Sequence, residues 1–234
     1  MSAAREAILA KLRAAPKGAV VEPDVAGYYA KSTPQRSQVE RLAQFQRLMT
    51  SAHAEVHWVR EGRWQDKLAE LVKAHGHQSL LLAPNTAHGA RAAEALTQLQ
   101  GGPMLNGFDR PAEEWKDELF NGIDASFTGT RAGIAETGSL IVWPDAHEPR
   151  TMSLVPPVHY ALLEGAKLYQ NFHQAMASEG WQYGLPTNSL LISGPSKTSD
   201  IQQTVAYGAH GPRELVVLVI VPDEIDLSEL EVAA

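Results

Sequence analysis

The 234-residue sequence contains no cysteine. That absence removes a disulfide framework, a thiol nucleophile, thiolate zinc sites and cysteine-ligated iron–sulfur clusters. Basic residues are in the minority: 20 Lys and Arg against 27 Asp and Glu leave a formal charge of −7, with the acidic excess spread along the chain. Nucleic acid and anionic membranes reward a basic face, so neither is an expected partner. Long apolar runs are missing too. No stretch approaches the ~20 apolar residues that span a bilayer, and the opening MSAAREAILAKLRAAPKG has neither an uninterrupted apolar segment nor a small-residue cleavage pattern. No membrane insertion is expected, and the cytoplasm is the expected compartment. The Walker phosphate loop, the Gly-x-Gly-x-x-Gly dinucleotide fingerprint, the Gly-x-Ser-x-Gly nucleophile elbow and the His-Glu-x-x-His metal helix are all missing. Neither a metal nor a cofactor is therefore expected.

What is present is enough apolar material, 44% of residues, to bury one full core. Ile8, Leu9 and Leu12 give a first helix a narrow apolar stripe that Pro16 and Gly18 end. Roughly Val20 to Gln35, with Pro23, Gly27 and Pro34, reads as an extended arm, so residues 1–36 form an N-terminal helix and arm. Val39, Leu42, Phe45, Leu48 and Met49 recur at helical spacing behind Ser37, a plausible N-cap. From Glu55 onward strands and helices alternate. Glu55–Val59 and Ser79–Ala83 read as strands, Trp64–Ala74 and Thr86–Leu99 as helices, with Trp64 and Trp115 at packing positions. Further strands are expected at Ser126–Thr128, Leu140–Trp143, Tyr160–Leu163, Leu190–Ser193 and Leu215–Val221, with helices at Lys167–Ser178 and Ser199–Tyr207. Such alternation predicts an α/β fold with a largely parallel sheet and helices on both faces, spanning residues 37–222. Residues 223–234 read as an acidic tail forming a short turn or fraying.

In an open parallel sheet, ligands bind beyond the carboxyl ends of the strands. Ser193-Gly194-Pro195-Ser196-Lys197-Thr198-Ser199-Asp200 leaves a strand and enters an expected helix, where free N–H groups and hydroxyls would hold a phosphate or carboxylate. Capping of that helix is the favoured account of the same residues on sequence alone. Gly129 to Ser139 holds Glu136, Thr137 and Gly138. A partly buried Glu136 would have a raised pKa and serve as base or nucleophile, while the plain alternative is a turn whose Glu caps backbone or pairs with Arg131. His159, at a strand entry, either orients a substrate or is a hydrogen-bonded structural group. His210, within Tyr207-Gly-Ala-His-Gly-Pro212, is explained by a helix C-terminus unless it converges on Ser196. His75 and His77 fit a helix end, and the polar loop Asp145, His147, Glu148 could catch a metal but lacks an accompanying motif.

Gly133-Ile-Ala-Glu-Thr-Gly-Ser139, Pro157-Val-His159, Ser193-Gly-Pro-Ser-Lys-Thr-Ser-Asp-Ile201 and Gly208-Ala-His-Gly-Pro212 resemble, in that order, the hallmark segments of the LUD-domain, or lactate-utilisation, family. The resemblance covers about residues 37 to 222. It implies a fold similar to the sugar-phosphate isomerase and CoA-transferase (NagB/RpiA-like) superfamily. It implies participation in oxidising L-lactate to pyruvate beside iron–sulfur partner proteins, with this cysteine-free chain as the redox-silent member binding a small carboxylate or phosphorylated ligand. By the same likeness Glu136 matches the nucleophilic glutamate of CoA-transferase-like enzymes. Gly194, Ser196 and Thr198 match the anion-loop positions, and Asp200 and His210 fall on further motif positions. Two other readings stand beside it: a self-sufficient acyl or CoA transferase or sugar-phosphate-like isomerase using Glu136, and a non-catalytic scaffold.

Overall fold

The computed structural model describes residues 3–16, 18, 21–200 and 204–233, with the side chains of 199, 200, 204, 205 and 231–233 outside that description. The chain divides into two compact units, residues 1–33 and 34–234. The first contains α1 (Ala3–Ala14) and α2 (Val25–Ser32). The expected extended arm is therefore helical over half its length. Asp24 decides this locally, because its Oδ1 accepts from Gly27 N–H at 2.8 Å and so caps α2.

The second unit opens with α3 (Gln38–Ser51), behind the expected cap. Ser37 Oγ accepts from Glu40 N–H, and the Glu40 carboxylate returns a bond to Ser37 N–H, closing a capping box. There follow β1 (Glu55–Val59), α4 (Trp64–Ala74), β2 (Ser79–Leu82), α5 (Ala87–Thr97), β3 (Met104–Gly107), α6 (Lys116–Asn121) and β4 (Ala125–Gly129). Then come β5 (Ala132–Ile134), β6 (Ser139–Val142), β7 (Val158–Glu164), β8 (Leu168–Tyr169), α7 (Phe172–Ser178), β9 (Leu190–Ile192), β10 (Lys197–Asp200), β11 (Thr204–Tyr207), β12 (Glu214–Ile220) and α8 (Leu227–Ala233).

Six strands form an all-parallel sheet in the order β1-β12-β7-β4-β2-β3. Alternation along each strand divides the core in two. On one face Phe127, Tyr160, Leu162, Val216 and Leu218 pack under Trp64 and Leu68 of α4 and Leu96 of α5. On the other, Leu163, Leu215, Val217 and Val219 meet Leu42, Phe45 and Met49 of α3 and Leu230 of α8. Beside them, Leu81 of β2 packs with Trp115, Leu119 of α6 and Met152. Helices thus cover both faces of a parallel sheet, and Trp64 and Trp115 are buried as expected.

Five local expectations change. The segment after Gly129 is not a loop between two sheet strands: β5 and β6 leave the main sheet and, with β8 and β9, form a second sheet in the order β8-β5-β6-β9. The helix expected over Lys167–Ser178 begins only at Phe172, because Leu168 and Tyr169 pair with β5. The strand β3 and helix α6 were not anticipated. In place of a helix at Ser199–Tyr207 the chain makes an antiparallel hairpin, β10 against β11, with Lys197 opposite Tyr207. Ile201 and Val205 are four apart, a spacing that satisfies a helical stripe and alternate strand positions alike. Finally, the acidic end is no frayed tail, since Ile225 and Leu230 are buried against the α3 side of the core.

Candidate functional site

Three of the segments singled out in the sequence, the His159 strand entry, the Ser193 loop and the His210 loop, meet at a small cavity of about 160 Å³, whereas Glu136, Thr137 and Gly138 are not part of its lining. Its lining includes His159, Ser193, Gly194, Ser196, His210 and Leu215. Two strands explain the position. His159 and Leu215 are each second in their strand and are Cα partners in the β7–β12 register, so the cavity lies beside the amino ends of these strands. That differs from the carboxyl-end location expected for such a sheet. The displaced second sheet is the reason, since it carries the Ser193 loop across the α3 face of the main sheet.

Hydrogen bonds hold the loops together. Ser196 N–H donates to Pro212 O at 2.7 Å, Gly208 N–H donates to Ser196 O at 2.9 Å, and His210 N–H reaches Ser196 Oγ at 3.4 Å. A chain of hydroxyls, Thr137 Oγ1 to Ser139 Oγ to Ser193 Oγ, each step 2.7 Å, ties the first motif to the third. Gly138 turns this corner at φ +58°, where an added Cβ would lie 2.5 Å from Leu48 Cβ. On the same side His53 adopts a left-handed conformation at φ 68° and meets Tyr207 edge-on at 5.6 Å.

His159 is 1% exposed. Its Nε2 is 2.9 Å from Thr128 Oγ1, while Nδ1 is buried without a partner. Burial drives its pKa down to about 4, because the imidazolium would lose its hydration with no carboxylate to replace it. The ring is therefore neutral at physiological pH.

Other expectations fare differently. Glu136 is exposed, with its backbone N–H bound to Gln170 O, so it is not the partly buried carboxylate that the sequence suggested. Arg131 pairs with Glu179 at 2.6 Å, not with Glu136. With β10 replacing the expected helix, among the described residues no helix dipole points at the Ser196 loop and His210 meets no helix C-terminus. Thr198 is half-buried on β10 opposite Ala206, and Asp200 ends that strand, its side chain outside the described residues. His75 Nδ1 and His77 Nε2 both bind the Tyr160 hydroxyl, at 2.7 and 3.0 Å, a structural role beyond the expected helix end.

A larger cleft, about 460 Å³, does lie at the carboxyl ends of β4, β7 and β12. Its polar residues include His88, Arg91, Arg131, Asp145 and Glu148, of which the sequence draws attention to the Asp145 loop and, as a partner for Glu136, to Arg131. The missed signal is His88 two places after Thr86, which caps α5 where it follows the buried strand β2.

Residues 42–220, which contain both cavities, match the LUD domain family. The chain belongs to the LUD-domain family. It is 45% identical over 230 residues to an uncharacterised protein of Neisseria meningitidis serogroup B, covering 97% of this chain and 98% of that one. It is 24% identical over 180 residues to lactate utilization protein C of an Exiguobacterium species, covering 75% and 76% of the two. A crystal structure of a DUF162 family protein from Deinococcus radiodurans superposes with a TM-score of 0.55 at 22% identity, over 80% of this chain and all of that one, and so shares the LUD-domain fold. Among the described residues no helix is long and apolar enough to cross a membrane, and no group of three or more His, Asp or Glu is placed to hold a metal ion.

Proposed function

We propose that this LUD-domain protein is a redox-silent subunit of a lactate-oxidising system. It acts with iron–sulfur partner proteins in converting L-lactate to pyruvate, and its Ser196 cavity holds a small carboxylate or phosphate. The observation that carries the reading is the convergence of the Ser193–Ser196 and His210–Pro212 loops on one cavity floored by a neutral histidine, with Ser139 of a further motif tied to Ser193 by a hydroxyl contact. At about 160 Å³ the cavity has room for about five waters, which suits a three-carbon acid better than a nucleotide. Ser193, Ser196 and the turn at Gly194 supply hydroxyl and N–H donors for an anion, with Thr198, Asp200 and His210 on the adjoining segments. Thr137 and Gly138 fix the Ser139–Ser193 hydroxyl chain. His159 offers its unpartnered Nδ1 to the ligand's polar end without adding charge. With no cysteine in the chain, the clusters that accept electrons sit on the partners.

The parallel sheet is compatible with kinship to the NagB/RpiA and CoA-transferase folds, and within that kinship Glu136 is the candidate nucleophile. Its exposure makes the accessory role the better supported one. The test is growth on L-lactate of a host strain lacking this chain. Wild type restores growth, and the Ser196→Ala, His210→Ala double variant does not; full growth of the deletion strain, or vigorous lactate oxidation by the purified chain alone with an artificial acceptor, overturns the reading. Unchanged growth with Glu136→Gln would remove the nucleophile role.

A further inference from the structure

The second sheet ends in an open edge. In the order β8-β5-β6-β9, β9 is the last strand, and among the described residues no backbone bond besides its pairing with β6 involves Leu190, Leu191 or Ile192. The outer side of an edge strand presents unpaired N–H and C=O groups, and such edges are ordinarily guarded by charged side chains, proline or a bulge. This one is unguarded. From Gly180 to Ser196 no side chain is charged, in a chain where 20% of residues are, and Thr187 to Gly194 contains no proline. The main sheet's edge at β1 is different, since Glu55 and His57 stand on it in contact at 3.3 Å.

The side chains of β9 lack cover as well. Residues directly opposite on paired strands project to the same face, so Leu191 shares a face with Ile141 and Ala132. There Ala132 and Ile141 are buried with Ala175 of α7 and Trp181. The cover stops short of β9: Leu191 is 50% exposed, and Leu185 and Tyr183, on the segment leading into the strand, are 74% and 86% exposed. The apolar row thus runs from buried to bare as it reaches the unguarded edge.

Charge selects the partner. Each chain carries −7, so two copies repel wherever their acidic faces meet, and an uncharged segment is where they can approach. A basic partner would find no carboxylate on this segment to pair with. Geometry agrees, because an antiparallel edge is complementary to its own copy turned about a two-fold axis. We propose that β9 is a homodimer interface. Two copies pair β9 with β9 about an axis at Leu191, the centre of the three-residue strand, and join two four-stranded sheets into one of eight. The two Leu191 side chains then cover each other, with Leu185 and Tyr183 beside the joint. Leu191 and Ile192 also line the Ser196 cavity, so the two cavities of the dimer flank the axis, whatever ligand they take.

The absence of cysteine makes the test direct. Directly opposed Cα atoms in an antiparallel pair are about 4.5–5.5 Å apart, within the ~4.4–6.8 Å that a disulfide spans. Leu191→Cys introduces a single thiol, and mild oxidation of the full-length protein should convert it to a disulfide-linked dimer on non-reducing denaturing gels. Met104→Cys, comparably exposed on the edge strand β3, should stay uncrosslinked. Sedimentation velocity gives an independent reading. Wild type at micromolar concentration should sediment at twice the chain mass. Leu191→Lys, which sets two ammonium groups opposite each other, should weaken association at least about tenfold, and Met104→Lys should leave it unchanged. The thiol measurement stands even where Leu191→Lys fails to fold. A monomeric wild type, a dimer that persists in folded Leu191→Lys, or failure of Leu191→Cys to cross-link would overturn the proposal.

Discussion

At the scale of single residues, His159 and Gly138 carry the largest consequences. His159 is neutral when folded, with a pKa near 4, against about 6.5 when unfolded. Between those values the unfolded chain binds the extra proton, so the stability contribution is present above about pH 6.5 and is lost as pH falls toward 4. The loss should reach on the order of 3 kcal/mol. Urea unfolding of wild type and His159→Asn at pH 7 and pH 4.5 checks the sign: the variant should lose markedly less stability over that interval, and parallel losses would show that other groups govern acid lability. Gly138 poses a steric problem, because an alanine there would place its Cβ 2.5 Å from Leu48 Cβ in a left-handed conformation. Gly138→Ala should cost about 3 kcal/mol, seen as a lowered urea midpoint with unchanged slope. Neither effect was legible in the sequence. It marked both positions as motif members, but burial and the approach of α3 are properties of segments about 90 and more residues apart.

At the scale of elements, the helices with capping or strong periodicity were the legible ones. Ser37 and Glu40 announce α3, and the structure shows both halves of the box. Ser37→Ala should therefore destabilise the protein by about 1 kcal/mol, while Ser51→Ala, at the exposed far end of the helix, should change stability little; chemical denaturation of the two variants measures the contrast. The strand β2 was equally plain, as a short apolar run bounded by turns, and β1 was expected over the same residues, Glu55–Val59, that the structure shows. The hairpin of β10 and β11 was not, because its apolar residues fit both periods and nothing local chooses between them. Its pairing is settled by neighbours: Ser196 at its start is bound to Pro212 and Gly208 beyond its end, which brings the two arms together. A two-residue strand such as β8 has no local signature either, since Leu168 and Tyr169 become strand only by pairing with Gly133 and Ile134.

At the scale of the whole molecule, α8 closes the α3 side of the core. Ile225, Leu227 and Leu230 cover Phe45 and Leu42. Burial of each is worth about 1.5–3 kcal/mol, so truncation after Pro222 should remove about 5 kcal/mol, a large part of a typical domain's margin. Thermal unfolding of the truncated chain should show a much lower midpoint; an unchanged one would mean that α8 merely rests on the surface. The sequence by itself determined the α/β class, the parallel pairing implied by alternating strands and helices, the exclusion of cysteine chemistry and the family. All of these follow from local periodicity, composition or contiguous motifs, which each stretch of chain expresses without reference to any other. Only the tertiary structure decided that β5, β6, β8 and β9 form a separate sheet, that the motif loops gather at the amino ends of β7 and β12, and that His88 and Glu148 meet across the carboxyl-end cleft. Those outcomes depend on which strands pair and which faces the pairing leaves to be covered, and that choice is made by contacts between residues distant in sequence.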